Sequence, residues 1–339
     1  MTEISENYSL QKLNTMQIDV RARFFMEIQS IEQLINALNS KDVQRPFYIL
    51  GGGSNVVFLK DFEGTIFHIN NLGKEIVKEN KDFVWLKVNA GENWHELVLY
   101  ALNHDFGGIE NLSLIPGKVG ASPMQNIGAY GAEIKDVFES LEAVEISSGK
   151  IKVFNKEDCK FGYRESVFKN DLKNQYIITS ITVQLSKRNH VLKTSYGAIQ
   201  DLLDKKGITN PSIQDISKAV IEIRESKLPN PKFIPNSGSF FKNPSISNVH
   251  YLNLKNKYPE IPGYLMENEK IKVPAGWLIE KSGWKGFRNS SVGVHEKQAL
   301  VLINHNHASG LEIFNLSQEI LDDVSKKFGI QLVREVNII

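Results

Sequence analysis

The chain has 339 residues, 41% of them hydrophobic, with Lys+Arg 40 against Asp+Glu 39 and a formal net charge of +1. That length suits two or three domains with ordinary buried cores, and the charge balance gives no support for a nucleic-acid-binding or membrane-surface protein. Cys159 is the single cysteine, which excludes an intramolecular disulfide and a multi-cysteine metal site.

Met1 to Leu10 is polar, carries Glu3 and Glu6, and lacks the basic-then-apolar pattern of a secretory signal. No apolar run reaches the ~18 residues of a membrane-spanning helix. The expectation is a cytoplasmic enzyme. Residues 30–40 read as a short amphipathic helix, 46–50 as a strand, and 56–59 as a second strand after the glycine run 51–53. Further strands are expected over 65–70 and 83–90. From Asn93 to Asp105 the residues Trp94, Leu97, Val98, Ala101 and Leu102 recur at helical spacing, and Gly107-Gly108 stops the helix.

Residues 113–134 carry glycines at 117, 120, 128 and 131 with little charge between them. That spacing is too regular for a linker and too glycine-rich for a helix. Strands return over 140–154 and 176–185, and a helix spans 212–227. Pro229, Pro231 and Pro235 mark a domain junction. A strand over 299–303 precedes His305-Asn306-His307, which reads as a solvated loop rather than a metal site. Leu311 to Phe328 forms a helix with apolar residues at 311, 314, 321, 324 and 328. Ser309 and Glu312 make its capping box, and Gly329 closes it. Ile330 to Ile339 alternates as a terminal strand, with Glu335 opposite Leu332, Arg334 and Val336. The chain therefore reads as α+β with many strands rather than as a regular βαβ alternation.

Several segments can carry chemistry, each beside a plainer reading. Gly51-Gly52-Gly53-Ser54-Asn55 can turn its amides toward a phosphate, because no Cβ obstructs them. It lacks the third glycine and following helix of a dinucleotide fingerprint, and the lysine of a phosphate-binding P-loop. A tight β-hairpin is the alternative. Pro116, Gly117, Gly120, Ser122 and Gly128 let a flat or pyrophosphate-bearing ligand approach the backbone, or they form a convoluted surface loop. Arg224 and Lys227 share a helix face, where the helix dipole alone favours cations. Tyr163-Arg164 pairs an aromatic ring with a cation. Ser239 sits between Gly238 and two phenylalanines without a nucleophile-elbow pattern, so it is a turn serine or a positioned proton donor. Glu335 is an edge residue facing solvent or a functional carboxylate.

Together these segments resemble the UDP-N-acetylenolpyruvoylglucosamine reductase family of bacterial cell-wall synthesis, from about residue 15 to the end. The resemblance is carried by GGGSN at 51–55, IPGKVGASPMQNIGAYGAE at 115–133, CKFGYRES at 159–166, KLPNPK at 227–232, GSFFKNP at 238–244, AGWLIE from 275 and VHEKQALVLIN to 304. Ser195-Tyr196-Gly197 resembles the longer, type I branch. The resemblance implies a two-part FAD-binding module of the vanillyl-alcohol-oxidase (PCMH) type, residues 1–75 and 76–228. A C-terminal α+β substrate-binding domain, 229–339, would follow, its last strand a candidate to return to the flavin site.

It also implies non-covalent FAD, NADPH as reductant, and reduction of UDP-N-acetylglucosamine enolpyruvate to UDP-N-acetylmuramate. Hydride goes to the terminal vinyl carbon and a proton to its neighbour. By this likeness Ser239 is the proton donor, Arg164 meets the substrate carboxylate, and Glu335 acts with that arginine to polarise the enolpyruvyl group. Gly51, Gly52, Gly53, Ser54, Asn55, Pro116, Gly117, Gly120, Ser122, Ile127, Gly128 and Arg224 would contact FAD. Tyr163, Tyr196, Lys227, Asn243 and Gln298 would contact substrate. One departure is Arg334, which stands before the glutamate where relatives often carry proline. A monomer without nucleic-acid or membrane partners is expected. The competing readings are an FAD oxidase of the same fold and a non-catalytic UDP-sugar-binding protein.

Overall fold

The computed structural model describes residues 3–266 and 268–339; Met1, Thr2 and Glu267 lie outside them. The chain divides into two compact units. The first takes the segment ending at Tyr8, Arg23–Gly52 and Glu63–Ser226; the second takes Ser9–Ala22, Gly53–Phe62 and Lys227–Ile339.

In the first unit a four-stranded sheet runs in the order Ser5–Ser9, Arg21–Ile28, Phe62–Ile69, Phe47–Leu50. Phe47–Leu50 lies parallel to Phe62–Ile69, in the register Phe47 to Thr65. The helix Ile31–Asn39 is capped by Ser30, whose side chain accepts from Gln33 N. It buries Leu34 and Ala37 with Met26, Ile28, Phe67 and Ile69. A second sheet is wholly antiparallel, in the order Ile151–Asn155, Phe138–Glu145, Tyr176–Ser186, Phe83–Asn89, Lys74–Glu79. The helix Trp94–Asn103 places Trp94, Leu97, Val98, Ala101 and Leu102 in the core with the inner residues of that sheet. Burial of each such large aliphatic side chain is worth about 1.5–3 kcal/mol. The Trp94 indole N–H is not left unpaired there, since it donates to Leu112 O at 3.0 Å. The helices Gly197–Lys205 and Ile213–Lys227 share a separate cluster of Ile199, Leu203, Ile216, Ala219, Val220 and Ile223.

In the second unit Asn236–Ser239, Val301–Asn304 and Val292–Val294 form an antiparallel sheet. A smaller sheet joins Ser245–Ile246, Ile271–Lys272 and Tyr264–Leu265. The helix Gly310–Phe328 starts at the expected capping box of Ser309 and Glu312 and ends at Gly329, left-handed with φ 65°. Its buried stripe is Ile313, Leu316, Ser317, Ile320, Val324 and Phe328, while Leu311 is exposed. The inward face is thus rotated from the one the apolar spacing suggested.

One alternative falls and one expectation changes. The segment 56–59 does not form a hairpin with 46–50: Val56–Val57 pairs in parallel with Asn337–Ile338. The terminal stretch is not one strand either. Only Asn337–Ile338 pairs as a strand, and Arg334 makes an isolated bridge to Phe241. Burial of Ile330, Leu332 and Val336 still follows the expected alternation. Among the described residues no helix is long and apolar enough to cross a membrane.

Candidate functional site

The two glycine segments meet in the first unit. A Cβ on Gly52 would lie 3.0 Å from Gly117 Cα, so two bare backbones touch where side chains would part them. Gly51 lies against the Lys118 stem, and Lys118 Nζ donates to Gly91 O at 2.6 Å and Asn70 Oδ1 at 2.9 Å. Gly120 packs on Ala90 and donates its own N–H to Ala90 O at 3.0 Å. Ser122 is buried, with its hydroxyl donated to Val119 O at 2.7 Å, and the buried Ile127 donates its N–H to Ser122 O at 3.0 Å. These last contacts hold the segment's shape. The chain then passes from the first unit to the second between Gly52 and Gly53.

Arg164 and Arg224 stand in the same unit. Arg164 has φ 57° and donates from Nη2 to Gly128 O at 2.7 Å, with its guanidinium 5.8 Å from the centre of the Tyr163 ring. Its segment is fastened to the glycine stretch by Ser166, which donates to Met124 O at 2.6 Å, and by Asn126, which donates to Gly162 O at 3.0 Å. Arg224 sits in the last turn of Ile213–Lys227, and its Nε is buried with no hydrogen-bond partner among the described residues. Burial pulls its guanidinium below the ordinary range; Tyr130 opposes that shift and the like charge of Arg164 adds to it. Tyr130 is pushed up by burial and drawn back by Arg224, and its ring meets Tyr196 edge-on at 5.5 Å. Burial also lowers His95, which feels Arg224.

A buried cationic donor without a partner is costly in a finished core. It fits a site that receives an electron-rich group. The close approach of Gly52 to Gly117 leaves the backbone there without side chains, which is compatible with a flat or diphosphate-bearing cofactor coming near it. The residues present therefore fit FAD.

Ser239 and Glu335 are brought together in the second unit. Ser239 is exposed, opposite Val301, after Gly238 at φ 67°. Glu335 donates its N–H to Phe240 O at 2.8 Å, and Lys242 donates to Val333 O at 2.9 Å. The glutamate's backbone is thus hydrogen-bonded to the residue after the serine. Asn55 Nδ2 donates to Glu335 O at 3.3 Å, and Asn337 returns a bond to Asn55 O at 2.9 Å. Gly53, at φ 61°, admits no side chain, because a Cβ would lie 1.9 Å from Leu13 O. Ser54 follows it, half-buried.

The other expected residues are more scattered. Lys227 is exposed in the second unit, while Arg224, three positions earlier, belongs to the first. Asn243 Oδ1 accepts from Ala275 N at 2.9 Å, at the start of the helix Ala275–Lys281. Gln298 Oε1 accepts from Leu300 N at 3.3 Å and lies near Gly276. Tyr163 is half-buried in the first unit, and Pro116 and Tyr196 are exposed there. Lys118, Asn126 and Tyr130 stand inside the 115–133 motif without an assigned role, and His95 stands in none of the motifs. The available signal was an aromatic residue between Gly128 and Gly131, in a segment otherwise lacking large rings. Among the described residues there is no group of His, Cys, Asp and Glu able to hold a metal ion.

Comparison with known proteins adds an independent finding. Residues 229–339 match the family model for the C-terminal domain of UDP-N-acetylenolpyruvoylglucosamine reductase, and residues 22–155 match an FAD binding domain. A curated UDP-N-acetylenolpyruvoylglucosamine reductase of Flavobacterium johnsoniae is 49% identical over 99% of this chain and 100% of its own length. The protein of that name from Amoebophilus asiaticus is 50% identical over 99% of each chain, and that from Pseudomonas aeruginosa 41% over 99% of each. The crystal structure of the Thermus caldophilus reductase superposes with a TM-score of 0.67 at 20% identity, covering 100% of this chain and 98% of that one, which shows a shared fold. The α+β class, with an FAD-binding part followed by a C-terminal domain, agrees with the sequence reading.

Proposed function

Because the chain belongs to the UDP-N-acetylenolpyruvoylglucosamine reductase family, we propose that it is an FAD-dependent oxidoreductase that reduces UDP-N-acetylglucosamine enolpyruvate to UDP-N-acetylmuramate with NADPH, in peptidoglycan precursor synthesis. The observation that carries this reading is 49% identity to a reductase of that name over 99% of this chain and 100% of the relative. The chemistry bound FAD supplies is two-electron transfer from NADPH to the enolpyruvyl double bond.

The residues then divide the work. The glycine segments, Gly51 to Asn55 and Pro116 to Gly128 with Ser122 and Ile127, hold the cofactor. Arg224 offers its buried guanidinium to the flavin, where a positive charge favours the electron-rich reduced form. Arg164 pairs with the substrate carboxylate. Because Gly128 already fixes one of its donors, little reorganisation is needed as negative charge spreads onto that group. Ser239 gives a proton to the carbon next to the carboxylate. A serine hydroxyl is a weak acid, so it acts once that carbon has become carbanion-like. Glu335 works with Arg164 to polarise the enolpyruvyl group. Tyr163, Tyr196, Lys227, Asn243 and Gln298 bind the UDP-sugar. Residues 1–75 and 76–228 act as the two parts of the FAD module and 229–339 as the substrate domain. The enzyme works in the cytoplasm as a monomer.

The test is NADPH consumption by the flavin-loaded protein with and without the enolpyruvyl UDP-sugar. Consumption that depends on the sugar supports the reading. Substrate-dependent oxygen uptake without NADPH would instead support an oxidase of the same fold.

A further inference from the structure

Arg334 precedes Glu335 and does more than continue the chain. Its Nε donates to Ser317 Oγ at 2.7 Å and its Nη2 to Gln318 Oε1 at 2.8 Å, both on the helix Gly310–Phe328. The guanidinium also lies over the Phe314 ring, 4.4 Å from its centre. Two hydrogen bonds and a ring contact fix a planar group more firmly than a point charge could be fixed. On the backbone side, Arg334 bridges Phe241. The flanking bonds run from Lys242 N to Val333 O and from Glu335 N to Phe240 O, so the Arg334 N–H takes no part in that pairing.

We propose that Arg334 is the positioning residue for Glu335. Its side chain clamps residues 333–335 to the Gly310–Phe328 helix, while the backbone on either side is paired with the segment that follows Ser239. The carboxylate of Glu335 therefore projects from a backbone held on two sides. The inference rests on the proposed role of Glu335 in the reaction. It requires no contact between Arg334 and substrate or flavin. The clamp acts by limiting the freedom of one backbone unit, so a different restraint on that unit should replace it. Proline supplies one, since it fixes φ and sacrifices only the N–H that the pairing leaves unused.

The experiment compares Arg334→Met, Arg334→Pro, Gln318→Met and Glu335→Gln with the unaltered enzyme in the two half-reactions, alongside urea unfolding. For Arg334→Met, flavin reduction by NADPH should stay within about twofold of normal. Reoxidation of the reduced enzyme by the enolpyruvyl UDP-sugar should slow by about 10- to 100-fold, as expected when a reacting group is misplaced by a fraction of an ångström to an ångström. Gln318→Met, which removes one anchor and keeps the bulk, should slow the same half-reaction by less. Arg334→Pro should recover most of the reoxidation rate, which an altered unfolding midpoint by itself would not explain. Normal reoxidation in Arg334→Met beside slow reoxidation in Glu335→Gln overturns the positioning role alone. An equal fall in both half-reactions, or no recovery in Arg334→Pro, also overturns it. Normal reoxidation in Glu335→Gln overturns the role of the glutamate and this inference with it. If Arg334→Met fails to fold, normal reoxidation in Gln318→Met is the contradicting result.

Discussion

Arg224 and Arg164 carry the same charge in different settings. The first buries an Nε without a partner among the described residues, and the second gives Nη2 to Gly128 O at 2.7 Å. Histidines supply a separate test at this scale. Burial is the leading cause lowering His68, His95 and His295 from their ordinary value. A histidine held below its unfolded pKa stays neutral in the fold while the unfolded chain takes up a proton. Its contribution is complete above about pH 6.5 and is lost as pH falls toward the depressed folded value. Glu27 is also lowered, chiefly by its hydrogen bond from Asn70, but its contribution is lost only in the carboxylate range. Urea unfolding should therefore show a lower midpoint at about pH 5.5 than at about pH 7.5. An equal or higher midpoint at the acidic value would contradict the burial of these rings.

Local signals recovered most elements, and distant pairing explains those they did not. The helix Gly310–Phe328 was legible because Ser309, Glu312 and Gly329 mark its ends. Its inward face was misjudged, since Leu311 is exposed and Ile313 buried. The partner of Val56–Val57 is Asn337–Ile338, at the far end of the chain, and no pattern around Gly51 to Asn55 encodes that. The proposed roles of Arg164, Ser239 and Glu335 come from resemblance alone, because a tyrosine–arginine pair, a turn serine and an edge glutamate are common in proteins. Arg224's buried Nε and the clamp on Arg334 depend on packing and needed coordinates. Gly53 gives the element-scale prediction. Its φ of 61° and the 1.9 Å approach to Leu13 O forbid a side chain. Gly53→Ala should destabilise the protein by about 2 kcal/mol or more in urea unfolding. Unchanged stability would show that the loop can move away from Leu13.

At the scale of the whole molecule, both units carry proposed machinery. Arg164, Arg224 and the backbone contact of Gly52 with Gly117 belong to the first, and Ser239, Glu335 and Lys227 to the second. The chain alternates between the units more than once, with Ser9–Ala22 and Gly53–Phe62 belonging to the second before its main segment begins at Lys227. Neither unit is therefore a continuous piece of sequence. Reduction of the flavin by NADPH and its reoxidation by the sugar can still be separated in time, and that separation gives the most direct test. Flavin-loaded protein, unaltered and as Ser239→Ala, would be reduced with one equivalent of NADPH without oxygen and mixed with UDP-N-acetylglucosamine enolpyruvate. The account predicts that the unaltered protein regains its oxidised flavin spectrum and yields UDP-N-acetylmuramate. Ser239→Ala should be reduced normally but reoxidise at least about 100-fold more slowly. Unaltered protein that stays reduced in the presence of the sugar would contradict the account.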